Sequence, residues 1–497
     1  MTSATTTVDV AIVGFGPTGA TLANLLALTG LTVVVIEREA EMYHLPRAVH
    51  FDGETMRVFQ TVGIADDLFA KVHINPGMKF VDPSGALLLD WPRPQEIGPQ
   101  GWHASFRLHQ PDLETLLRAK LADRPGVEVQ TATKVQSVQE DAGGVALDCT
   151  VADGTRSTVR ARYAVGCDGA RSTIRQAMGA NLDDLGFEER WLVVDVLLKR
   201  ERPDLGDHSL QFCDPHRPMT YCRSPANRRR WEITVLDGET DAEVTAAPRI
   251  WEFLAPWITP DDADLERSAV YTFRSAVAER WRRGRVLIAG DAAHLTPPFM
   301  GQGMCAGIRD ASNLAWKLTL CAKGLADEAL LDSYQAERDP NVRAYIETAM
   351  RLGGLINTMG KDTALARAER GSTGNAKMSS IAPPLGPSTL GGLNSPNDPH
   401  VGHLFPQPLL RDGSRLDDGV GYAPALLLRK PSALLQPPIM TTFDAAAHPD
   451  LAPALDSFNA EAVLIRPDRH IAAVATTEAD VARLARMAFP SSLLAAP

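Results

Sequence analysis

The sequence predicts an α/β protein: a parallel-sheet domain interrupted by a mostly antiparallel sheet and followed by a small α/β module. Three observations predict it. The chain opens with an apolar run, a glycine-rich turn, a periodic segment and a β-branched run, which together read as one βαβ unit. Residues near Trp191–Val235 alternate in strand fashion and carry many aromatics and arginines. Beyond a tract rich in Gly, Pro, Ser and Asn (Gly371–Pro399), short strand-like runs precede a helical segment.

Taken in order, Val8–Gly14 is the first strand, Ala20–Leu28 the first helix, closed by Gly30, and Leu31–Ile36 the second strand. Asp112–Leu121 has helical spacing, and Val127–Val138 and Val145–Val151 read as strands. Arg285–Ala289 is a further buried strand, followed by a turn and the helix Met304–Leu320. In the last module Ala423–Arg429, Ala462–Arg466 and Ile471–Ala475 are strand-like and Glu478–Ala488 is helical. The expected boundaries are 1–185 and 281–370 for the two parts of the first domain, 186–280 for the inserted sheet, 371–400 for a linker and 401–497 for the last module.

Bulk properties narrow the function. The 497 residues suggest about three domains. The formal charge, 50 − 61 = −11, disfavours nucleic acid as a partner, because that binding feeds on Lys and Arg neutralising phosphates. Six cysteines with no CxxC pair fit a reducing interior better than a disulfide framework. The opening MTSATTTVDVAIVG has no basic and apolar leader pattern, and no run reaches 18 apolar residues, so the expectation is a cytoplasmic protein without membrane contact.

Gly14, Gly16 and Gly19 form GxGxxG between a strand and a helix, the context of a Rossmann-like dinucleotide site. Pro17 and Thr18 lie in that turn and are counted with it. The helix start offers free N–H groups and a positive dipole end to a pyrophosphate. Glu37 ends the second strand, 18 residues after Gly19, where a carboxylate accepts from ribose hydroxyls and repels a 2′-phosphate; Arg38 follows it. FAD or NAD is therefore favoured over NADP at this turn. No GxSxG, HExxH, Walker-type loop or Cys/His cluster appears, so hydrolase and metal readings have no support.

Two further segments carry a resemblance. Cys167-Asp168-Gly169-Ala170-Arg171-Ser172-Thr173-Ile174-Arg175 is similar to a DGxxSxxR motif, and Gly290-Asp291-Ala292-Ala293-His294-Leu295-Thr296-Pro297-Pro298 to a GDAAHxxPP motif continued by Gly301-Gln302-Gly303. With the first turn, they resemble the single-component FAD-dependent aromatic hydroxylases. The resemblance implies FAD as cofactor, NADH or NADPH as co-substrate, and O2. It implies oxygen transfer to a phenol through a flavin C4a-hydroperoxide, with water excluded. Asp291 would accept from a ribityl hydroxyl; Asp168 and Gly169 would lie where pyrophosphate and nicotinamide pass. Gly290, Pro298, Gly301 and Gly303 would leave room for the flat ring, ahead of the helix N-terminus at Met304 and Cys305. The family often has Asn where this chain has Cys305. Arg47, Arg107 and Gln110 would contact FAD, Asp310 and Asn313 would brace the loop, and His294 would be packed rather than a base.

The resemblance is strongest to 3-(3-hydroxyphenyl)propionate hydroxylases, through Pro46-Arg47-Ala48, Gln211–Pro218, Trp231–Glu239, Gly301–Lys317 and Ile465–His470. It implies ortho-hydroxylation of that or a related phenol. Hydroxylation of a larger phenolic or polyketide product stays open, as does an FAD-dependent reductase or desaturase. The last module resembles a thioredoxin-like domain, but no cysteine follows Cys321, so a structural or homodimer-contact role is expected. The inserted sheet should face the flavin with Gln211, Cys213, Tyr221, Arg223 and Trp231. Tyr221 and Arg223, at i and i+2, share a strand face and could bind a phenol and a carboxylate. The plainer reading, Tyr221 as core and Arg223 as solvated beside Arg228–Arg230, stays equally open. His216 or His208 is a candidate proton relay.

Overall fold

The computed structural model describes residues 5–359, 376–387, 398–431 and 441–486. Thr5–Val13 is the central strand of the first sheet, flanked in parallel by Val33–Ile36 and Arg156–Gly166. Val286–Ile288 continues the parallel order on one side and Val127–Gln130 on the other. Val33–Ile36 is buried throughout, as a strand covered on both faces must be. The expected strand over 127–138 is broken into Val127–Gln130 and Thr133–Asp141, and the latter pairs with Gly144–Val151 as a hairpin. Between those two pieces Ala132 adopts a left-handed φ of 53°, which strand geometry does not allow.

Helices cover this sheet. Pro17–Leu28 packs against Gly303–Ala322, a helix buried nearly all round. A helix over Asp332–Met359, absent from the sequence reading, packs beside it. Its apolar period is masked by Glu337, Arg338 and Asn341, which are polar yet buried.

Among the described residues the inserted sheet has nine strands and is antiparallel except at two pairs, Ser209–Phe212 with Gly77–Val81 and Leu87–Pro92 with Ala376–Lys377. Residues 77–92 therefore belong to this sheet although the expected boundary confined it to 186–280. One face, with Leu192, Val194, Tyr221, Trp231 and Ile233, packs under the helix Ala247–Leu254. The opposite face turns toward the first domain, because strand side chains alternate.

The last module is a four-stranded sheet ordered Thr441–Asp444, Ala425–Leu428, Ala462–Ile465 and Ile471–Ala475. Its helix spans Glu478–Arg486; the rest of the expected helix, to 488, lies outside the described residues, as do 371–375 and 388–397 of the expected linker. A buried ionic cluster fixes this module to the helix Gly303–Ala322. Lys317 Nζ lies 2.8 Å from Glu337 Oε2, Arg466 grips Glu337 at 2.9 Å with both terminal nitrogens, and Asn313 bridges Glu337 and Asp468 at 2.8 and 3.0 Å. Burial alone would push the Glu337 carboxyl up, but Arg466 and Lys317 hold it down at about 2. Among the described residues no helix is long and apolar enough to cross a membrane.

Candidate active site

The glycine turn has the shape a dinucleotide needs. Gly14 has φ +103°, and a Cβ there would run into the Cys167 carbonyl; one on Gly19 would strike the Gly14 carbonyl. A Cβ on Gly16, by contrast, would meet nothing within 4 Å, so bare backbone faces open space. The helix Pro17–Leu28 begins with Pro17 and no side-chain cap, which leaves its first N–H groups free for an anion. Glu37 is fixed by accepting from the Phe15 and Glu39 N–H groups at 2.8 and 2.9 Å. Thr18 is wedged against Gly290 and Gly307, and Arg38 is exposed beside Glu39.

The second motif is a clamp. Asp168 accepts from Ser172 Oγ at 2.5 Å and from the Thr173 and Ile174 N–H groups at 2.7 and 3.2 Å, while Gly169 takes φ +80°. Arg175 donates to the Ala170 and Ala292 carbonyls, which ties this loop to the third motif. Within that motif Asp310 accepts from the Gly290 N–H at 2.9 Å, His294 Nε2 at 2.6 Å and Arg338 Nε at 2.9 Å. Burial pushes the Asp310 carboxyl up, but His294 and Arg338 outweigh it and hold it at about 2. Asp310 and His294 thus occupy the bracing and packed positions expected of them.

Asp291 is exposed and makes no hydrogen bond among the described residues. Local desolvation raises its pKa, with His294 and then Arg47 opposing the shift. Arg47 stacks over Tyr43 at 4.7 Å, and Gln110 Oε1 accepts from the Arg47 and Ala48 N–H groups at 3.2 and 2.6 Å. Gly303–Ala322 also starts without a side-chain cap, so its N–H groups at Met304 and Cys305 are free. The Cys305 side chain is buried 3.9 Å from the His50 and Gly301 carbonyls and caps nothing. Bare backbone at Gly16, two uncapped helix starts and an uncommitted carboxylate at Asp291 fit FAD along one groove.

Where the inserted sheet meets the loop Pro298–Gly301, a cavity opens. Trp91, Trp191, Gln211, Thr220, Cys222 and Glu232 line it from the sheet; His50, Arg93 and Arg107 complete its wall. Several expectations are corrected here. Tyr221 and Trp231 lie on the far face of the sheet, ring centroids 5.1 Å apart, under the covering helix. Arg223 pairs with Asp207 at 3.4 Å, outside the cavity, and His216 is exposed in a turn capped by Asp214. Cys213 is buried with Phe80 and Trp91 and does not reach the cavity. The cause is parity: Gln211 pairs with Thr220 and Thr220 with Glu232, so Tyr221 and Arg223, one residue on, point away. Of the five expected sheet residues only Gln211 lines the cavity.

Arg107, expected on FAD, reaches across to Ser209 Oγ at 2.5 Å and lines the cavity. It pairs in register with His50, whose Nδ1 lies 3.3 Å from the Gly301 carbonyl and Nε2 2.8 Å from Ser105 Oγ. Asn75 also donates to Ser105, and a carbonyl only accepts, so His50 carries its proton on Nδ1. Burial, with Arg107 and Arg93 nearby, pushes the His50 pKa down to about 3, so the ring is neutral. Sequence reasoning missed His50, Arg93 and Glu232; for Glu232 the signal was strand parity, which needs the register.

The comparisons with known proteins agree with this geometry. Residues 7–349 match the FAD binding domain family. The chain belongs to that family. A probable NADH-specific resorcinol 4-hydroxylase of Rhodococcus jostii is 42% identical over 82% of this chain and 76% of its own length. A 3-(3-hydroxy-phenyl)propionate/3-hydroxycinnamic acid hydroxylase of Mycolicibacterium smegmatis is 38% identical over 72% of this chain; the alignment spans 63% of that relative's length. Among solved structures, the flavin-dependent monooxygenase PieE with FAD and substrate superposes with TM-score 0.79 at 24% identity over 97% of this chain and 98% of its own. The anhydrotetracycline hydroxylase OxyS of Streptomyces rimosus gives 0.77 at 25% identity, over 97% and 99%. This family member is a flavin-dependent aromatic hydroxylase with FAD as its cofactor.

Proposed function

We propose that this enzyme hydroxylates a small phenol, ortho to an existing hydroxyl, using NADH and O2. The observation that carries the reading is the cavity between Pro298–Gly301 and the inserted sheet, whose Gly301 wall lies just ahead of the uncapped start of the helix Gly303–Ala322. Bound FAD supplies the chemistry: it takes reducing equivalents from the nicotinamide and activates O2. The chain's own residues then do the positioning. Trp91 and Trp191 flank a flat ring and keep water away, and the guanidinium groups of Arg107 and Arg93 favour an anionic oxygen. Neutral His50 holds the Gly301 carbonyl and so fixes the loop under the ring.

The relatives named for resorcinol and for hydroxyphenylpropionate support a single-ring substrate, and the former supports NADH. As part of the same proposal, the inserted sheet is the substrate domain, and 401–497 is a thioredoxin-like module without dithiol chemistry that braces the fold or a homodimer. A cytoplasmic location completes it. The test is NADH consumption by the FAD-loaded protein with resorcinol and with 3-(3-hydroxyphenyl)propionate, followed by product mass. A product heavier by one oxygen is expected from at least one of them. NADH oxidation that yields only hydrogen peroxide with both would overturn the reading.

A further inference from the structure

The cavity wall holds one carboxylate, Glu232, that accepts no hydrogen bond among the described residues. Glu232 has as its nearest cation Arg230 Nη1, 3.7 Å from Oε1, which is too long for a hydrogen bond. Arg230 is already committed to Asp195 at 2.7 and 3.0 Å and to the Pro46 and Arg47 carbonyls. The other polar groups on the wall are unsuited to taking a proton. Gln211 is tied to Thr220 and the Met219 carbonyl, His50 has both ring nitrogens engaged, and burial pushes the Cys222 thiol up to about 12. Beside Glu232, Arg107 Nε and Arg93 Nη1 are buried donors without an acceptor among the described residues. An acceptor without a hydrogen bond near buried donors without acceptors is costly until a ligand satisfies both. A phenolic hydroxyl does that with one atom: its proton goes to the carboxylate and its oxygen to the guanidinium.

We propose that Glu232 is the base that removes the phenolic proton and that Arg107 receives the resulting phenolate; this rests on the hydroxylase reading above. The substrate O–H bond breaks, an O–H bond forms on the Glu232 carboxylate, and the electron pair stays on the ring oxygen, where Arg107 donates to it. No oxidant enters this step. An ionised oxygen enriches the ortho and para carbons in electron density and so makes the ring a better acceptor of the transferred oxygen. Burial raises the Glu232 pKa, with Asp195 adding to the shift and Arg230, Arg107 and Arg267 opposing it. The carboxylate is thereby brought nearer in basicity to a phenolate, which eases the transfer.

The experiment compares FAD-loaded wild type, Glu232→Gln and Glu232→Asp on resorcinol and on chlorinated and fluorinated resorcinols of increasing acidity. On resorcinol, Glu232→Gln should lower kcat by about 10²–10⁴, the usual worth of a positioned base. The loss should shrink steadily as the ring hydroxyl grows more acidic, because such phenols ionise unaided. Glu232→Asp should show the same trend with smaller losses, and flavin absorbance should match wild type in both variants. A loss of the same factor across the series, or no loss, overturns the role of Glu232 while leaving the function standing. Wild type that hydroxylates neither this series nor 3-(3-hydroxyphenyl)propionate and its halogenated analogues, on which the same comparison is run, overturns the function, and this role with it.

Discussion

Asp310→Ala removes the acceptor at the centre of the third motif. The side chain is fully buried and holds Gly290 N–H, His294 Nε2 and Arg338 Nε within 2.9 Å. Its loss leaves the Arg338 guanidinium uncompensated on that side, with Asn341 and the Ala306 carbonyl as its remaining contacts. Breaking a buried pair from one side costs about 3–5 kcal/mol. That is a large share of the roughly 5–15 kcal/mol by which a protein is stable. Because the same carboxylate fixes Gly290, the damage should reach the groove and Asp291 beside it. The assay is paired: flavin-to-protein ratio after gel filtration, and the urea midpoint of the apoprotein. Substoichiometric flavin together with a lowered midpoint is expected. A variant that keeps full flavin and an unchanged midpoint would refute the view that Asp310 anchors the loop.

Other predictions separate the groove from the scaffold. Gly16→Val places methyl groups where only open space lies, so the apoprotein should unfold at the wild-type urea concentration while FAD affinity falls at least tenfold; a parallel loss of stability would mean the space belongs to the fold. Tyr221→Phe and Arg223→Ala alter side chains outside the cavity, so kcat/KM for both carboxylated and uncharged phenols should stay within about threefold of wild type, measured by NADH oxidation; a loss confined to carboxylated phenols would return Arg223 to the site. The Glu337 pKa is depressed from the ordinary 4.5 to about 2 in the folded protein. Its stabilisation is therefore present above about pH 4.5 and is lost as pH falls toward 2. Urea midpoints should drop over that window, and Glu337→Gln, already destabilised, should show a shallower drop; identical slopes would argue against the carboxylate.

The first βαβ unit and the helix after the third motif were readable because their signals are local: three glycines at fixed spacing, an acid at the strand end and a period of buried apolar residues. The cavity was not, because its identity depends on which face of each strand points inward. Gln211 and Tyr221 were both chosen, yet the register pairs Gln211 with Thr220, so the two lie on opposite faces. A one-residue choice of parity exchanged Thr220, Cys222 and Glu232 for Tyr221, Arg223 and Trp231. Trp91 and Arg93 escape for a different reason: they lie in and just after 77–92, a segment remote in sequence that joins the sheet by a parallel pair.

The most direct test of the account is a turnover under ¹⁸O2, with FAD-loaded enzyme, NADH and resorcinol, read by product mass. One ¹⁸O atom in a newly formed ring hydroxyl is predicted. Product oxygen drawn from water, or NADH consumed with all of the ¹⁸O recovered as hydrogen peroxide, would contradict it.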